Sequence, residues 1–282
     1  MDQALIIQLL GGLLLGGVIG LAAWRAGALS GSGGWAAAVC GGLIFGLGGW
    51  EWAVLLLAFF ISSSGLSRAF SQRKAALNEK FSKGSRRDWA QVLANGGLGA
   101  LLALIHAWRP EWYWPWLAFG GAMAAVNADT WATELGVLSR VAPRLITNGT
   151  TVERGTSGGV SLAGSLAALS GGLLIGGLMA IFPAGGLETA RQAGGGAPGL
   201  LAAASLGGLA GSFFDSLLGA TLQAIYTCPV CQKETEKHPR HSCGSVTVWR
   251  RGWRWLNNDW VNFACSAVGA LAALLIWSAL AA

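Results

Sequence analysis

Residues 4–24 read ALIIQLLGGLLLGGVIGLAAW, a run of 21 residues without a charged side chain. About 20 consecutive apolar residues are enough for an α-helix to cross the hydrocarbon core of a bilayer. No Lys or Arg precedes the run, which is unlike a cleavable signal peptide. The run therefore predicts a first membrane-spanning helix that the protein retains.

The composition of the whole chain indicates the same class of protein. Hydrophobic residues make up 53% of the 282 residues and charged residues only 11%, against about 25% charged in ordinary soluble proteins. Too few charges remain to cover a soluble surface, and the apolar content excludes a disordered chain. The 44 glycines follow no collagen triplet and favour closely packed membrane helices.

Seven more apolar segments follow the first, so we predict an all-α, polytopic bundle of seven or eight transmembrane helices in a single domain over residues 1–282. The second and third segments are short and would form one long helix or a bent hairpin, but the polar break at Glu51 favours two helices. The eight segments are 4–24, 34–49, 52–66, 89–108, 114–138, 158–182, 199–226 and 260–281.

The basic residues predict the orientation of the bundle. Loops 25–33, 67–88, 139–157 and 227–259 together contain 17 of the 19 Lys and Arg residues. Positive residues collect on the cytosolic side of membrane proteins, so we expect these loops in the cytosol, at a prokaryotic inner membrane or a thylakoid-type membrane. The same bias accounts for the net charge of +6, so no nucleic-acid partner is expected.

Polar and acidic residues interrupt three of the segments near their cytosolic ends, where ionisable groups are costly and usually functional. Asp129 and Glu134 lie about 140° apart around an ideal helix, so they share a ligand only if the helix is kinked or the ligand spans the gap. The alternative role for such residues is helix packing. The set comprises Asn127, Asp129, Thr130 and Glu134, then Asp215 and Gln223, then Asn258, Asp259 and Asn262.

Carboxylate and amide oxygens from three helices would meet at one membrane depth, and such hard ligands suit Mg²⁺ with bound phosphates. We expect Asp129, Glu134, Asp215 and Asp259 to be catalytic residues that hold Mg²⁺, directly or through water. Phosphate or substrate would contact the uncharged members of the set, which are Asn127, Thr130, Gln223, Asn258 and Asn262.

A glycine-rich loop precedes the sixth segment on the same side of the membrane. Backbone N–H groups at a helix N-terminus, with Arg side chains beside them, form an anion site. A plain flexible connection is the alternative. The candidate phosphate ligands are Arg144, Arg154, Gly155, Thr156, Ser157, Gly158, Gly159 and Ser161.

A cluster of cysteines follows the seventh segment. Cys228 and Cys231 form a Cys-x₂-Cys pair, and His241 and Cys243 follow. Three thiolates and one imidazole complete a tetrahedral zinc site, with His238 as an alternative to His241. Reduced thiols without a metal are the competing interpretation.

Together these motifs resemble one integral-membrane family, which includes the phytyl-phosphate kinases of tocopherol synthesis and the transmembrane protein 19 group. Ser157 departs from the acidic or amide residue that we expect in many members at that position. The matching stretches are NADTWATELG at 127–136, GTSGGVS at 155–161, DSLLGATLQ at 215–223, CPVC at 228–231 and NDWVN at 258–262.

The resemblance implies a membrane prenyl-phosphate kinase. Phytyl phosphate or a similar prenyl phosphate would take the γ-phosphoryl group of a nucleoside triphosphate, CTP by that resemblance, and become the diphosphate. The partners are then membrane lipids, the prenyl phosphate and the nucleotide, and the sequence indicates no oligomeric state. Two alternatives stay open: a CTP-dependent cytidylyltransferase acting on a lipid phosphate, and a transporter of a polyprenyl phosphate or an ion.

Overall fold

The structure is a computed structural model that describes residues 3–70 and 86–281. Most of the basic loop 67–88 therefore lies outside the described residues. The described helices are α1 (Gln3–Arg25), α2 (Gly31–Gly48), α3 (Trp50–Ala69), α4 (Trp89–Trp108), α5 (Trp114–Gly136), α6 (Leu162–Ile181), α7 (Gly186–Gln192), α8 (Gly196–Thr221) and α9 (Asn258–Ala281).

The predicted membrane bundle of helices is confirmed. Among the described helices, α1, α2, α3, α4, α6, α8 and α9 are long and apolar enough to cross a membrane. Helix α5 has 23 residues and is as long as these, but its polar side chains lower its hydropathy. The predicted break between the second and third segments is also present, because α2 ends and α3 begins on either side of Gly49, whose φ is 94°.

Helix α5 lies at the centre of the bundle and contacts α3, α4, α6, α8 and α9. Its residues from Pro115 to Ala128 are all buried. Phe119 packs on Trp52 of α3, with 4.5 Å between ring centroids. Farther along the bundle, a Cβ atom on Gly208 of α8 would lie 2.9 Å from Ala124, so only glycine allows α8 to approach α5 this closely.

Two small sheets lie outside the long helices. Strands β1 (Arg144–Leu145) and β2 (Gly159–Val160) pair antiparallel before α6. After α8, strands β3 (Ile225–Cys228), β4 (Lys233–Thr235) and β5 (Val248–Arg251) form an antiparallel sheet in the order β4-β3-β5.

The basic loops meet at one end of the bundle. The backbone N–H of Ser30 donates to the carbonyl of Arg87 at 2.9 Å, which joins loop 25–33 to loop 67–88. The Ser157 hydroxyl donates to Glu236 at 2.7 Å, which joins loop 139–157 to loop 227–259. That this shared end faces the cytosol stays a prediction from the basic residues.

Candidate functional site

A polar cavity of about 320 Å³ opens where the basic loops meet the ends of α5, α6, α8 and α9. Most of the residues predicted for the site line it, whereas Asn127, Arg144 and Asp259 lie outside its lining. The predicted residues that line it are Asp129, Thr130, Glu134, Arg154, Gly155, Thr156, Ser157, Gly158, Gly159, Ser161, Asp215, Gln223, Asn258 and Asn262.

Three carboxylates converge on one part of this polar cavity. Asp129 comes from α5, Asp215 from α8, and Glu236 from the loop after β4, and both aspartates lie close enough to Glu236 to be repelled by it. Asp129 hydrogen-bonds the hydroxyl of Ser212. The buried Oδ2 atom of Asp215 has no hydrogen-bond partner within the described part of the chain. Grouped acidic oxygens of this kind fit a divalent cation, since a cation relieves their mutual repulsion.

Glu236 is held at the cavity wall by two donors. The hydroxyl of Ser157 donates to its Oε1 atom at 2.7 Å, and the side-chain amide of Gln223 donates to the same atom at 3.0 Å. Gln223 is itself buried. The glycine-rich loop and the end of α8 therefore fix the carboxylate that the cysteine loop supplies.

Glu134 faces a different side of the cavity from Asp129, as their angular separation on the helix predicts. Its carboxylate accepts a hydrogen bond of 2.7 Å from Ser67. Burial lowers the pKa of the nearby Arg87 to about 10, while the charge of Glu134 acts in the opposite direction, so the guanidinium stays charged at neutral pH. Arg87 also lies over the Phe59 ring, 5.3 Å from its centroid.

The glycine-rich loop lies directly on the end of α8. Gly155 and Gly158 have positive φ values of 76° and 85°, which other residues adopt at a cost. A Cβ atom on Gly158 would also overlap Ala220. Ser161 then caps α6 by accepting a 3.1 Å hydrogen bond from its first turn. The loop thus presents backbone groups and Arg154 to the cavity.

Helix α9 contributes two amides to the cavity, Asn258 and Asn262. The residue that caps α9 is Asn257, whose side-chain oxygen accepts from the backbone N–H groups of Asp259 at 3.0 Å and Trp260 at 3.2 Å. The two cavity asparagines are therefore not needed as helix caps, which leaves their amides available for a ligand.

Besides Asp259, two predicted site residues lie outside the cavity, Asn127 and Arg144, and both bond to other groups of the protein. Asn127 is fully buried; it donates to the Gly171 carbonyl at 2.8 Å and accepts from Ser62 at 3.0 Å, which ties α5 to α6 and α3. Arg144 is exposed and donates to the Gly149 carbonyl at 2.9 Å in the turn after β1.

The cysteine loop forms a compact group of candidate metal ligands. The ligand atoms of Cys228, Cys231, His241 and Cys243 all lie within 4.8 Å of one another. The sulfurs of Cys228 and Cys243 are 3.5 Å apart, close to the roughly 3.8 Å that two sulfurs adopt on tetrahedral zinc with bonds of about 2.3 Å. The group therefore fits a zinc ion.

His241, rather than His238, belongs to this group. The Nδ1 atom of His241 lies 3.3 Å from the Cys243 sulfur, whereas His238 stacks on Tyr226 with 4.4 Å between ring centroids. Hydrogen bonds with Ser245 and His241 lower the pKa of Cys243 to about 5. A lowered pKa favours the thiolate of Cys243, the form of cysteine that binds metals.

Sequence reasoning missed two charged residues of the polar cavity. Arg87 lies in a basic loop whose charges also serve as an orientation signal, and Glu236 lies among alternating charges between Cys231 and His238. Nothing in either local pattern indicates a site. Only the folding of both loops over the ends of the helices brings these side chains to the cavity.

Comparison with known proteins places most of the chain in one group of sequences. The profile of the family described as "Integral membrane protein DUF92" matches residues 14–270. Protein PGR of Arabidopsis thaliana is 38% identical over 229 residues, which cover 76% of this chain and 77% of that protein.

Two microbial proteins are also similar. An uncharacterized membrane protein of Methanocaldococcus jannaschii is 28% identical over 275 residues, covering 98% of this chain and 97% of that protein. An uncharacterized membrane protein of Synechocystis is 31% identical over 139 residues, covering 49% of this chain and 54% of that protein. No solved structure matches the chain.

Proposed function

This chain belongs to the DUF92 family of integral membrane proteins, and from that premise we propose that it is a prenyl-monophosphate kinase of the membrane. The observation that carries the proposal is the polar cavity in which Asp129, Asp215 and Glu236 line the same space as Arg154 and the glycine-rich loop. Phosphoryl transfer needs such a combination, because it depends on positioning and on neutralising phosphate charge.

The reaction joins two phosphates. An oxygen of phytyl phosphate, or of a similar prenyl phosphate, forms a bond to the γ-phosphorus of CTP or another nucleoside triphosphate. The bond between that phosphorus and the β–γ bridging oxygen breaks, and the nucleoside diphosphate leaves with the bonding electrons. The products are the prenyl diphosphate and the nucleoside diphosphate, which is CDP when CTP is the donor. Since the attacking oxygen is already anionic, no strong general base is required.

The chain's own residues divide the work of binding. Backbone groups of the loop Gly155–Ser161, together with Arg154, hold the nucleotide phosphates. Asn258 and Asn262 hydrogen-bond phosphate oxygens from α9, and Asp129 and Asp215 are catalytic residues on the opposing helices. Thr130, Gln223 and Glu134 complete the polar wall around the reacting groups.

The acidic residues fit Mg²⁺. Asp129, Asp215 and Glu236 would hold it, and the buried Oδ2 atom of Asp215, without a hydrogen-bond partner among the residues described, supports this assignment. Asp259 lies outside the cavity lining and would act only through water. Bound Mg²⁺ supplies positive charge to the phosphate oxygens.

A structural zinc ion in the cysteine loop has a separate role in this proposal. Cys228, Cys231, His241 and Cys243 would hold it. The loop between Cys231 and His241 carries Glu236, so a closed, four-ligand metal site would keep that carboxylate at the cavity.

The cavity itself faces the cytosol of a prokaryotic cell or the equivalent side of a thylakoid-type membrane, where the nucleotide is present.

The decisive test is an assay of the purified protein in lipid vesicles with Mg²⁺, a panel of prenyl monophosphates, and ATP, CTP, GTP or UTP. We expect prenyl diphosphate and a nucleoside diphosphate, with the Asp215→Asn variant as the inactive control. Pyrophosphate and a CDP-lipid would instead identify a cytidylyltransferase. A transporter would move a polyprenyl phosphate across the vesicle membrane without nucleotide, and it would give no product with any combination of prenyl monophosphate and nucleoside triphosphate.

A further inference from the structure

A second cavity, of about 100 Å³, lies between α1, α2, α3 and α4. Its walls are almost entirely apolar; Leu15, Ile19, Phe45 and Phe60 are among the side chains that line it. Along α1 it extends from Gly12 to Ala23, which is roughly 16 Å at 1.5 Å per residue. The apolar cavity therefore follows the long direction of the helices.

The apolar cavity meets the polar cavity at three residues. Arg87, Gln91 and Asn95 line both. Among the described residues, these are the three non-apolar side chains of the apolar cavity. They follow one wall of it at steps of four residues, and Arg87 lies at the end next to the loops. Arg87 contributes a guanidinium at the junction, where it lies over Phe59 and beside Glu134.

We propose that the apolar cavity holds the hydrocarbon chain of a lipid monophosphate, and that Arg87 binds its phosphate where the two cavities meet. The inference rests on the proposed function only in taking the substrate to be a lipid phosphate. An apolar channel that ends in a cation matches an amphiphile with an anionic head. Guanidinium groups bind phosphate through two parallel hydrogen bonds, and an apolar lining favours the chain over water.

This assignment divides the bundle into two halves with different ligands. Helices α1 to α4 would hold the lipid, and α5, α6, α8 and α9 would hold the nucleotide and the cation. The phosphate on Arg87 then faces the acidic residues across the polar cavity, with the attacking oxygen on the side from which the γ-phosphoryl group arrives. Arg87 is thus a substrate-binding residue that the reaction needs at the boundary between the halves.

Gly96 offers a direct test, because it lines the apolar cavity and is buried, yet a Cβ atom added to it meets nothing within 4 Å. Gly96→Leu should therefore place its side chain in the cavity, with no clash at the Cβ atom, and it raises the helix propensity of α4. The matched control is Gly97→Leu on the same helix, since Gly97 does not line the cavity and its Cβ would meet only Leu93, at 3.8 Å.

The probe is a twenty-carbon prenyl monophosphate with a diazirine at the end of its chain, crosslinked to the purified full-length protein without nucleotide. We expect the crosslinked peptides to come from α1 to α4, and Gly96→Leu to lower the yield by at least about tenfold, the scale on which extra methylenes discriminate in an apolar pocket. Gly97→Leu should retain the wild-type yield. A five-carbon prenyl monophosphate should still bind Gly96→Leu, which shows that the variant is folded.

Arg87→Gln separates the headgroup from the chain. It should weaken binding of the prenyl monophosphate and leave binding of the matching prenyl alcohol unchanged. Crosslinks on α6 or α8, an unchanged yield in Gly96→Leu, or equal effects of Arg87→Gln on phosphate and alcohol would each overturn the proposal. Because no nucleotide is present, a protein that binds the lipid in this way but transfers no phosphoryl group would refute the kinase function alone.

Discussion

The hydroxyl of Ser157 donates a 2.7 Å hydrogen bond to the carboxylate of Glu236. This contact joins the glycine-rich loop to the loop that carries the four candidate metal ligands, and both residues line the polar cavity. The serine replaces the acidic or amide residue that family resemblance leads one to expect there. The carboxylate at this corner of the cavity instead comes from Glu236.

Asp129→Asn and Asp215→Asn should each lower phosphoryl transfer by at least about 10²-fold, the scale seen when one electrostatic stabiliser is removed. Both variants remove charge from a repelling group, so their folding should be nearly intact. The measurements are initial rates and thermal unfolding of the purified protein. Glu188→Gln on α7, where the carboxylate is exposed and pairs with Arg191, is the control. Near-wild-type rates in both aspartate variants would assign these carboxylates to helix packing.

Glu236→Gln should raise the Mg²⁺ concentration needed for half-maximal activity by about tenfold or more, since one of the three acidic ligands loses its charge. Glu234→Gln is the matched control two residues earlier, where the carboxylate pairs with Arg250 at 3.0 Å. Mg²⁺ titrations of both variants would check this. Equal Mg²⁺ dependence in the two would remove Glu236 from the cation site.

The protein purified without added metal should contain about one zinc per chain, as four ligands require. Cys228→Ser should lose the metal, and elemental analysis would measure it. His238→Ala should keep it, because that ring stacks on Tyr226 and lies outside the ligand group. A folded, active wild-type protein without zinc would contradict the assignment. So would a result in which His238→Ala loses the zinc and Cys228→Ser keeps it.

A membrane-impermeant maleimide added to intact cells should label Gln192→Cys and spare Thr150→Cys. Both positions are exposed in the structure, but they lie at opposite ends of the bundle, and the basic loops at the Thr150 end are expected in the cytosol. Permeabilised cells provide the control, since both variants should then carry more label than the wild-type protein, whose own Cys243 is exposed. Labelling of Thr150→Cys in intact cells would reverse the predicted orientation.

The sequence predicts much of this architecture because its signals are local. Apolar length alone indicates most of the helices. The break predicted at Glu51 falls two residues earlier, at Gly49, and Glu51 lies in the first turn of α3. The convergence of Asp129 and Asp215 is also predictable, since both lie near the same end of helices that run in the same direction. The placement of Arg87 and Glu236 is not, because it depends on how two loops fold over the bundle.

The sequence also does not predict the structural role of Asn127 or the choice of His241 over His238. Asn127 stands two residues before Asp129 in one polar motif, yet its amide ties three helices together outside the cavity. By sequence, His241 is the expected zinc ligand and His238 is its alternative. Only the packing of His238 on Tyr226 separates them, and side-chain packing has no local pattern in the sequence.

The enclosed position of α5 has a consequence for how the protein is made. Membrane insertion favours apolar segments, and a carboxylate near the middle of a helix opposes it by a few kcal/mol. Among the described long helices, α5 is the one that is not apolar enough to count as a membrane span by composition. It contacts α3 and α4, which emerge from the ribosome before it. We expect α5 to enter the bilayer poorly when translated alone and efficiently behind α3 and α4, which glycosylation mapping of truncated nascent chains would measure.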